Sequence, residues 1–158
     1  MKAGRIILIV VLAFLSMARW AWRCSKAEER NLHNSFNEKC TAVEEKKQLV
    51  LGYIQFGADS AEKTRVLTRS MDSTLSAAID HYRLNYKDDE KRYQLYLEVL
   101  FVYKKMVYAF QKWYKDQNPA NSERKSKAQT AGINDLSTEL NPLYLDLQHK
   151  KMAVFFNK

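Results

Sequence analysis

Glycine and proline are scarce in this chain, whose 158 residues include only four glycines and two prolines. All-β folds need a turn roughly every 8–12 residues, and these two residues build many of those turns. The scarcity therefore favours long helices joined by few loops. An apolar share of 46% beside a charged share of 28% is typical of a globular chain with a buried core. We predict an all-α fold.

Hydrophobic periodicity predicts three long helices, over residues 27–56, 60–86 and 90–116. In the first two, apolar residues recur at intervals of three and four, which places them along one side of a helix. Such stripes bury against neighbouring helices in a bundle. From Leu32 onward, the stripe of the first helix contains a single charged residue, Lys47.

The chain after the third helix contains both prolines and is divided less clearly. Residues 117–132 begin with Gln, Asn, Pro, Ala, Asn and Ser and predict a loop, whose later polar part is either an extension or the exposed start of a fourth helix. Gly132 is predicted to interrupt that helix. Asn141 and Pro142 have the pattern of a helix start, or of a kink within a continuous helix. We therefore predict an antiparallel bundle of four or five helices.

The third helix is apolar around most of its circumference, with a polar sector only about 40° wide. A helix of this kind is either the buried centre of the bundle or presents a second face to a partner. Aromatic residues dominate the hot spots of protein interfaces. Under the second alternative, the contact patch would consist of Tyr103, Met106, Phe110 and Trp113.

The N-terminus carries an uninterrupted apolar run, residues 6–15, behind two positive charges. As far as Ala18 the segment is about 20 Å long as a helix, short of the ~30 Å hydrocarbon core of a bilayer. This length and the positive start are typical of a signal peptide. The small side chains of Ser16 and Ala18 would allow cleavage before Arg19.

A second interpretation keeps this segment in the mature protein as a single-pass anchor over residues 6–22. Trp20 and Trp22 have the amphipathic rings that lie at membrane interfaces, and Arg23 and Lys26 would meet the lipid head groups. The sequence leaves the cleaved signal and the anchor as equal alternatives.

Both interpretations predict the same division of the chain. Residues 1–22 form a signal peptide or a transmembrane anchor, and residues 23–158 form an extracytoplasmic helical domain. None of the asparagines stands in an N-x-Ser/Thr sequon, which favours a bacterial export route over a glycosylated eukaryotic one. We expect the domain in the bacterial periplasm, free or held at the inner membrane, with secretion as a weaker alternative.

Two cysteines, Cys24 and Cys40, are an even pair, which in an exported chain suggests one disulfide. Sixteen helical steps would separate them by about 24 Å, whereas a bridge needs Cα atoms roughly 4.4–6.8 Å apart. A disulfide therefore requires a bend between the two residues. The alternative is a pair of free thiols, with Cys40 on an apolar face.

No catalytic, cofactor or metal motif is evident in the sequence. The three histidines, His33, His81 and His149, are isolated from nucleophiles and from one another. The formal charge of +8 arises from basic residues interleaved with eighteen acidic ones, which is typical of helix surface and not of a nucleic-acid-binding stripe. We therefore expect no enzymatic activity, no cofactor, no metal and no nucleic-acid partner.

The sequence thus predicts a non-enzymatic interaction protein outside the cytoplasm, whose partner is another protein, with the membrane as a further contact if residues 6–22 are retained. An immunity or inhibitor protein and an accessory subunit of an envelope complex both fit this description. The alternative, from a different class, is a small-ligand-binding sensor domain of the four-helix kind.

Overall fold

The computed structural model describes four segments of the chain, residues 2–56, 60–85, 91–116 and 125–156. Side chains are described over residues 11–55, 62–85, 93–115 and 133–156. The four segments are all helical: α1 (Lys2–Phe56), α2 (Ser60–Asn85), α3 (Lys91–Asp116) and α4 (Lys125–Phe156). The predicted all-α fold is confirmed.

The bounds of α2 and α3 lie within one residue of the predicted ones. The first helix is much longer than predicted, because α1 begins at Lys2 and includes the apolar N-terminal segment. No glycine or proline stands between Gly4 and Gly52 to interrupt it. The N-terminal segment and the predicted first helix are therefore one continuous helix.

The last part of the chain corrects two expectations. The predicted interruption at Gly132 is wrong, because α4 runs through this residue, and the polar stretch before it is the start of the helix. Pro142 also lies inside α4, so no fifth helix begins there in the described residues. Pro142 is exposed, so water can reach the backbone carbonyl that loses its partner to the missing N–H. Residues 117–124 of the predicted loop lie outside the described residues.

The chain divides into two compact units, Met1–Glu38 and Lys39–Lys158. The second unit contains the bundle, which consists of the rest of α1 together with α2, α3 and α4. The predicted boundary after residue 22 marks the end of the apolar segment and stays a prediction.

Within the second unit, α3 packs closely against both α2 and α4. Lys104 Nζ of α3 lies 2.7 Å from Asp72 Oδ1 of α2, while the Arg83 guanidinium, later in α2, lies over the ring of Phe101, earlier in α3. Later residues of α2 thus contact earlier residues of α3. The two helices are antiparallel.

The other pairs of neighbours show the same order. Lys112 of α3 pairs with Glu139 of α4, and Lys150, later in α4, lies 2.7 Å from Glu98, earlier in α3. In α1, Lys46 Nζ donates to Ser70 Oγ of α2 at 2.9 Å. These contacts, together with those of α1 described below, make the second unit an antiparallel four-helix bundle.

The core of this bundle contains the predicted stripes. The stripe of α1 contributes four buried apolar side chains within the second unit, Cys40, Val43, Val50 and Ile54. The stripe of α2 is buried at Met71, Leu75, Ala78, Ile79 and Tyr82. Tyr82 meets Tyr96 of α3 edge to face, with ring centroids 5.8 Å apart, an arrangement that aromatic pairs favour.

We predict that Gly52→Ala stabilises the bundle. Gly52 lies in the interior of α1, and a Cβ atom added there would meet nothing within 4 Å. Alanine costs about 1 kcal/mol less than glycine in a helix interior, because glycine loses more backbone freedom on folding. Urea unfolding followed by circular dichroism should show this gain. The control is Ala77→Gly, at an exposed position inside α2, which should lower stability by a similar amount. If Gly52→Ala gives no gain in stability, the space around residue 52 is not open.

Candidate functional site

The four residues predicted as a contact patch lie in the interior of the protein. Tyr103, Met106 and Phe110 have no exposed surface, and Trp113 is 5% exposed. The physical reason is the central place of α3, which packs against α2 and α4 while its Tyr103 reaches α1. The structure therefore shows the buried-centre alternative, and the interpretation of this face as a surface patch is corrected.

Tyr103 belongs to a group of polar side chains inside the bundle, which we call the polar cluster: Glu44 and Lys47 of α1, Tyr103 of α3, and Tyr144 and Lys151 of α4. The Tyr103 hydroxyl donates to Glu44 Oε2 at 2.8 Å. The same carboxylate pairs with the ammonium of Lys47, one turn further along α1. One carboxylate thus joins two helices.

Lys47 is the charged residue that stands inside the apolar stripe of α1, and it is buried, with a side chain only 3% exposed. A lysine charge removed from water needs an opposite charge and further polar contacts. Glu44 supplies the charge, and the ring of Tyr144 lies 4.7 Å from Lys47 Nζ in a cation–π contact. The buried ammonium therefore connects α1 to α4.

Lys151 adds a second positive charge to the polar cluster. Its Nζ lies 3.8 Å from Glu44 Oε2 and 5.2 Å from the centre of the Tyr103 ring. Two ammonium groups and a phenol hydroxyl therefore surround one carboxylate.

These contacts shift the pKa values of Glu44 and Tyr103 in opposite directions. Burial raises the pKa of the Glu44 carboxyl, but the hydrogen bonds from Lys47 and Tyr103, together with the positive charges of Lys47 and Lys151, lower it by more, so the pKa lies below its usual range. Burial and the hydrogen bond to Glu44 raise the pKa of Tyr103 well above its usual range. At neutral pH the Tyr103 hydroxyl therefore donates and the ionised Glu44 carboxylate accepts. Because these groups already bind one another, the geometry supports a structural role for the cluster.

We predict that Glu44→Gln destabilises the protein by about 2 kcal/mol, because it leaves the buried Lys47 without its opposite charge. Urea unfolding at pH 7 measures the loss. The matched control is Glu45→Gln, which changes an exposed neighbour on the same helix and should have little effect. Equal stability of the two variants would contradict the pairing.

The same variant gives a pH dependence with a definite sign. A carboxyl whose pKa is lower in the folded state stabilises the protein above its ordinary value of 4.5, and this contribution is lost as the pH falls through the folded value. The stability difference between the native chain and Glu44→Gln should therefore be complete near neutral pH and shrink below about pH 4.5. A difference that grows on acidification would contradict the lowered pKa.

Both cysteines are free in the structure, and α1 runs through both positions. The disulfide suggested by the sequence is therefore not formed, because a continuous helix supplies no bend that would bring the two together. Cys24 is half-buried and Cys40 is buried. Burial raises the pKa of the Cys40 thiol to about 12, despite the opposing charge of Lys151.

We predict that the two thiols differ sharply in reactivity. The thiolate is the reactive form, so Cys40 should resist a thiol reagent at pH 8 until the bundle unfolds, while Cys24 reacts at once. Mass spectrometry after brief labelling should find one adduct on the native chain and none on Cys24→Ser. Rapid labelling of Cys40 in the folded protein would show that this part of the core is open.

The N-terminal unit presents apolar residues to its surroundings. Phe14, Leu15, Trp20 and Trp22 are all more than 60% exposed. Lys26 Nζ lies 4.6 Å from the centre of the Trp22 ring, which places a positive charge next to the last of these aromatic residues. Among the residues that the structure describes, no helix is both long and apolar enough to cross a membrane.

The described residues contain no group of three or more His, Cys, Asp or Glu side chains placed to hold a metal ion. Comparison with known proteins gives no relative: no family model, no curated protein and no solved structure matches the chain.

The sequence signal that pointed to the polar cluster was Lys47, since a charged residue inside an apolar stripe needs a partner. Glu44, Tyr144 and Lys151 carried no such signal.

Proposed function

We propose that this chain is a non-enzymatic interaction protein that acts outside the bacterial cytoplasm, as a helical bundle delivered to the membrane or held there by its N-terminal segment. An immunity or inhibitor protein and an accessory subunit of an envelope complex are the two roles that fit best. Its partner is another protein.

The observation that carries this proposal is the exposure of large apolar residues in the N-terminal unit. Leu12 and Phe14 are 57% and 71% exposed, and Trp20 is 70% exposed. Exposure of so many large apolar side chains in one segment favours a membrane or protein contact, because soluble proteins rarely leave much apolar surface open to water. The two tryptophans, followed by Arg23 and Lys26, have the order of residues found at a membrane interface.

A small-ligand sensor domain is the other candidate from the sequence. A ligand held within a helix bundle needs polar groups free to bind it. In the polar cluster, the Glu44 carboxylate already accepts from Tyr103 and pairs with Lys47. Because these polar groups already bind one another, we favour recognition of a partner by the outer surface of the bundle over binding of a ligand inside it.

Cell fractionation tests the proposal. We expect the full chain, expressed in a bacterium, to appear in the membrane or periplasmic fraction and to be digested by protease added to spheroplasts. Leu12→Arg should trap it in the cytoplasm, because a charge in the apolar segment opposes membrane insertion. Leu49→Arg is the matched control, since Leu49 is 53% exposed on the part of α1 that belongs to the bundle, and it should behave as the native chain.

The mass of the recovered protein then separates the two alternatives. A chain that begins at Arg19 would show a cleaved signal, and a full-length chain in the membrane fraction would show an anchor. Full-length native protein in the cytoplasmic fraction, protected from protease, would contradict the proposal.

A further inference from the structure

Four basic residues lie along one side of α1, directly after its apolar segment. Arg19, Arg23, Lys26 and Arg30 are spaced four, three and four residues apart, which places them within about 60° of one another around the helix. All four side chains are exposed. They extend over about 16 Å of the helix, at about 1.5 Å for each residue. We call these four residues the basic stripe.

Acidic residues stand away from the basic stripe. The sequence has no acid between residues 1 and 27, and Glu28 and Glu29 lie about 170° and 90° from the centre of the stripe. Lys26 Nζ lies over the ring of Trp22, and Arg30 Nε donates to the carbonyl oxygen of Lys26 at 3.2 Å. In the bundle, by contrast, lysines of α3 and α4 pair with acids of neighbouring helices. The stripe therefore presents four positive charges with no acid among them.

The position of the basic stripe connects it to the apolar segment of α1. Arg19 follows Ala18, the last residue of that segment, and Trp20 and Trp22 lie on either side of the stripe, within about 90° of its centre. Both rings are more than 60% exposed. Tryptophan beside an apolar segment is typical of the membrane interface, at the level of the lipid head groups. Arginine suits a phosphate there, because its guanidinium donates two parallel hydrogen bonds to the oxygens.

We propose that the basic stripe binds the phosphate groups of anionic phospholipids. This inference rests on the proposed function, since it takes the N-terminal segment to reach a membrane, and it names the lipid class that α1 contacts there. Nucleic acid or an acidic protein matches the charge alone. An anionic lipid surface matches the charge, the apolar segment and the tryptophans together.

The basic stripe is present under both alternatives for the N-terminal segment. It begins at Arg19, so a chain cleaved before Arg19 retains all four residues. In an uncleaved chain, the same residues follow the anchor. The contact with anionic lipid is therefore independent of cleavage.

Electrostatic screening explains why the four residues share one side. Attraction between a basic group and an anionic surface falls off over about 8 Å at physiological salt. A helix with its side chains is about 10 Å wide, so a basic group on its far side would be largely screened. Each basic group close to the surface raises the affinity about fivefold, or about 1 kcal/mol. With the stripe against the lipid, all four groups contribute.

The test uses the purified full chain in vesicles of phosphatidylcholine and phosphatidylglycerol in equal parts, where one lipid or the other carries bromine on its acyl chains. Bromine quenches tryptophan fluorescence on contact, so the two samples compare the neutral and the anionic lipid beside Trp20 and Trp22. Trp113 is buried in the bundle and adds the same background to both. Phosphatidylglycerol should be enriched about fivefold, the value for one basic contact per lipid. In 1 M salt the enrichment should disappear, because the screening length falls to about 3 Å.

The variant that removes the stripe combines Arg19→Gln, Arg23→Gln and Arg30→Gln, and it should lower the enrichment toward one. The matched control removes the same charge at three exposed positions of α2 and α3, through Arg69→Gln, Lys105→Gln and Lys115→Gln. It should keep the enrichment of the native chain. Circular dichroism checks that both variants are folded, and the salt series on the native chain decides if the first is not.

Enrichment that survives the loss of the three arginines or 1 M salt would overturn the proposal, as would an equal loss in the control. Equal quenching by the two lipids in the native chain would overturn the lipid selectivity alone, and the proposed function would stand if fractionation still finds the chain at the membrane. Quenching by neither lipid would show that the N-terminal segment stays out of the membrane and would overturn both.

Discussion

The buried charge of Lys47 is the constraint on which the arrangement of the bundle depends. An ammonium group with 3% exposure is stable only where an opposite charge and polar contacts surround it. Glu44 supplies the charge from the same helix, and Tyr144 supplies a ring face from α4. Because Glu44 also accepts from Tyr103 of α3, a shift of α1 along its neighbours would break several contacts at once. We therefore infer that the polar cluster sets the register of α1 against α3 and α4.

The helices that could be predicted accurately are those whose ends are clearly marked in the sequence. The bounds of α2 and α3 follow from their periodicity, and the structure confirms them to within one residue. The bounds of α4 were missed because Gly132 and Pro142 are residues that usually interrupt helices. An exposed proline is tolerated in α4, and this tolerance depends on tertiary surroundings that a single sequence does not show.

The polar cluster was predictable only in part, since the sequence shows that Lys47 needs a partner but not which one. Glu44 is three residues away, whereas Tyr103 is 59 residues from Glu44 and meets it only through the packing of α1 on α3. Hydrophobicity also failed to separate core from surface on α3. In the sequence, an aromatic residue of a buried core cannot be told from an aromatic residue of a protein interface. Phe110 and Trp113 were therefore compatible with both locations until the neighbours of α3 were known.

The same ion pairs that join the helices also shape the surface that remains. Glu139, Lys150 and Lys151 turn toward α3 or α1, where each meets an opposite charge at the edge of a helix contact. Exposed pairs of this kind add little stability one by one, typically below about 1 kcal/mol. Their larger effect is on the exposed side of α4 between residues 137 and 156, which carries no charged residue. The charged residues of this part of α4 thus lie along its contacts with α1 and α3, and its exposed positions carry uncharged polar and apolar residues.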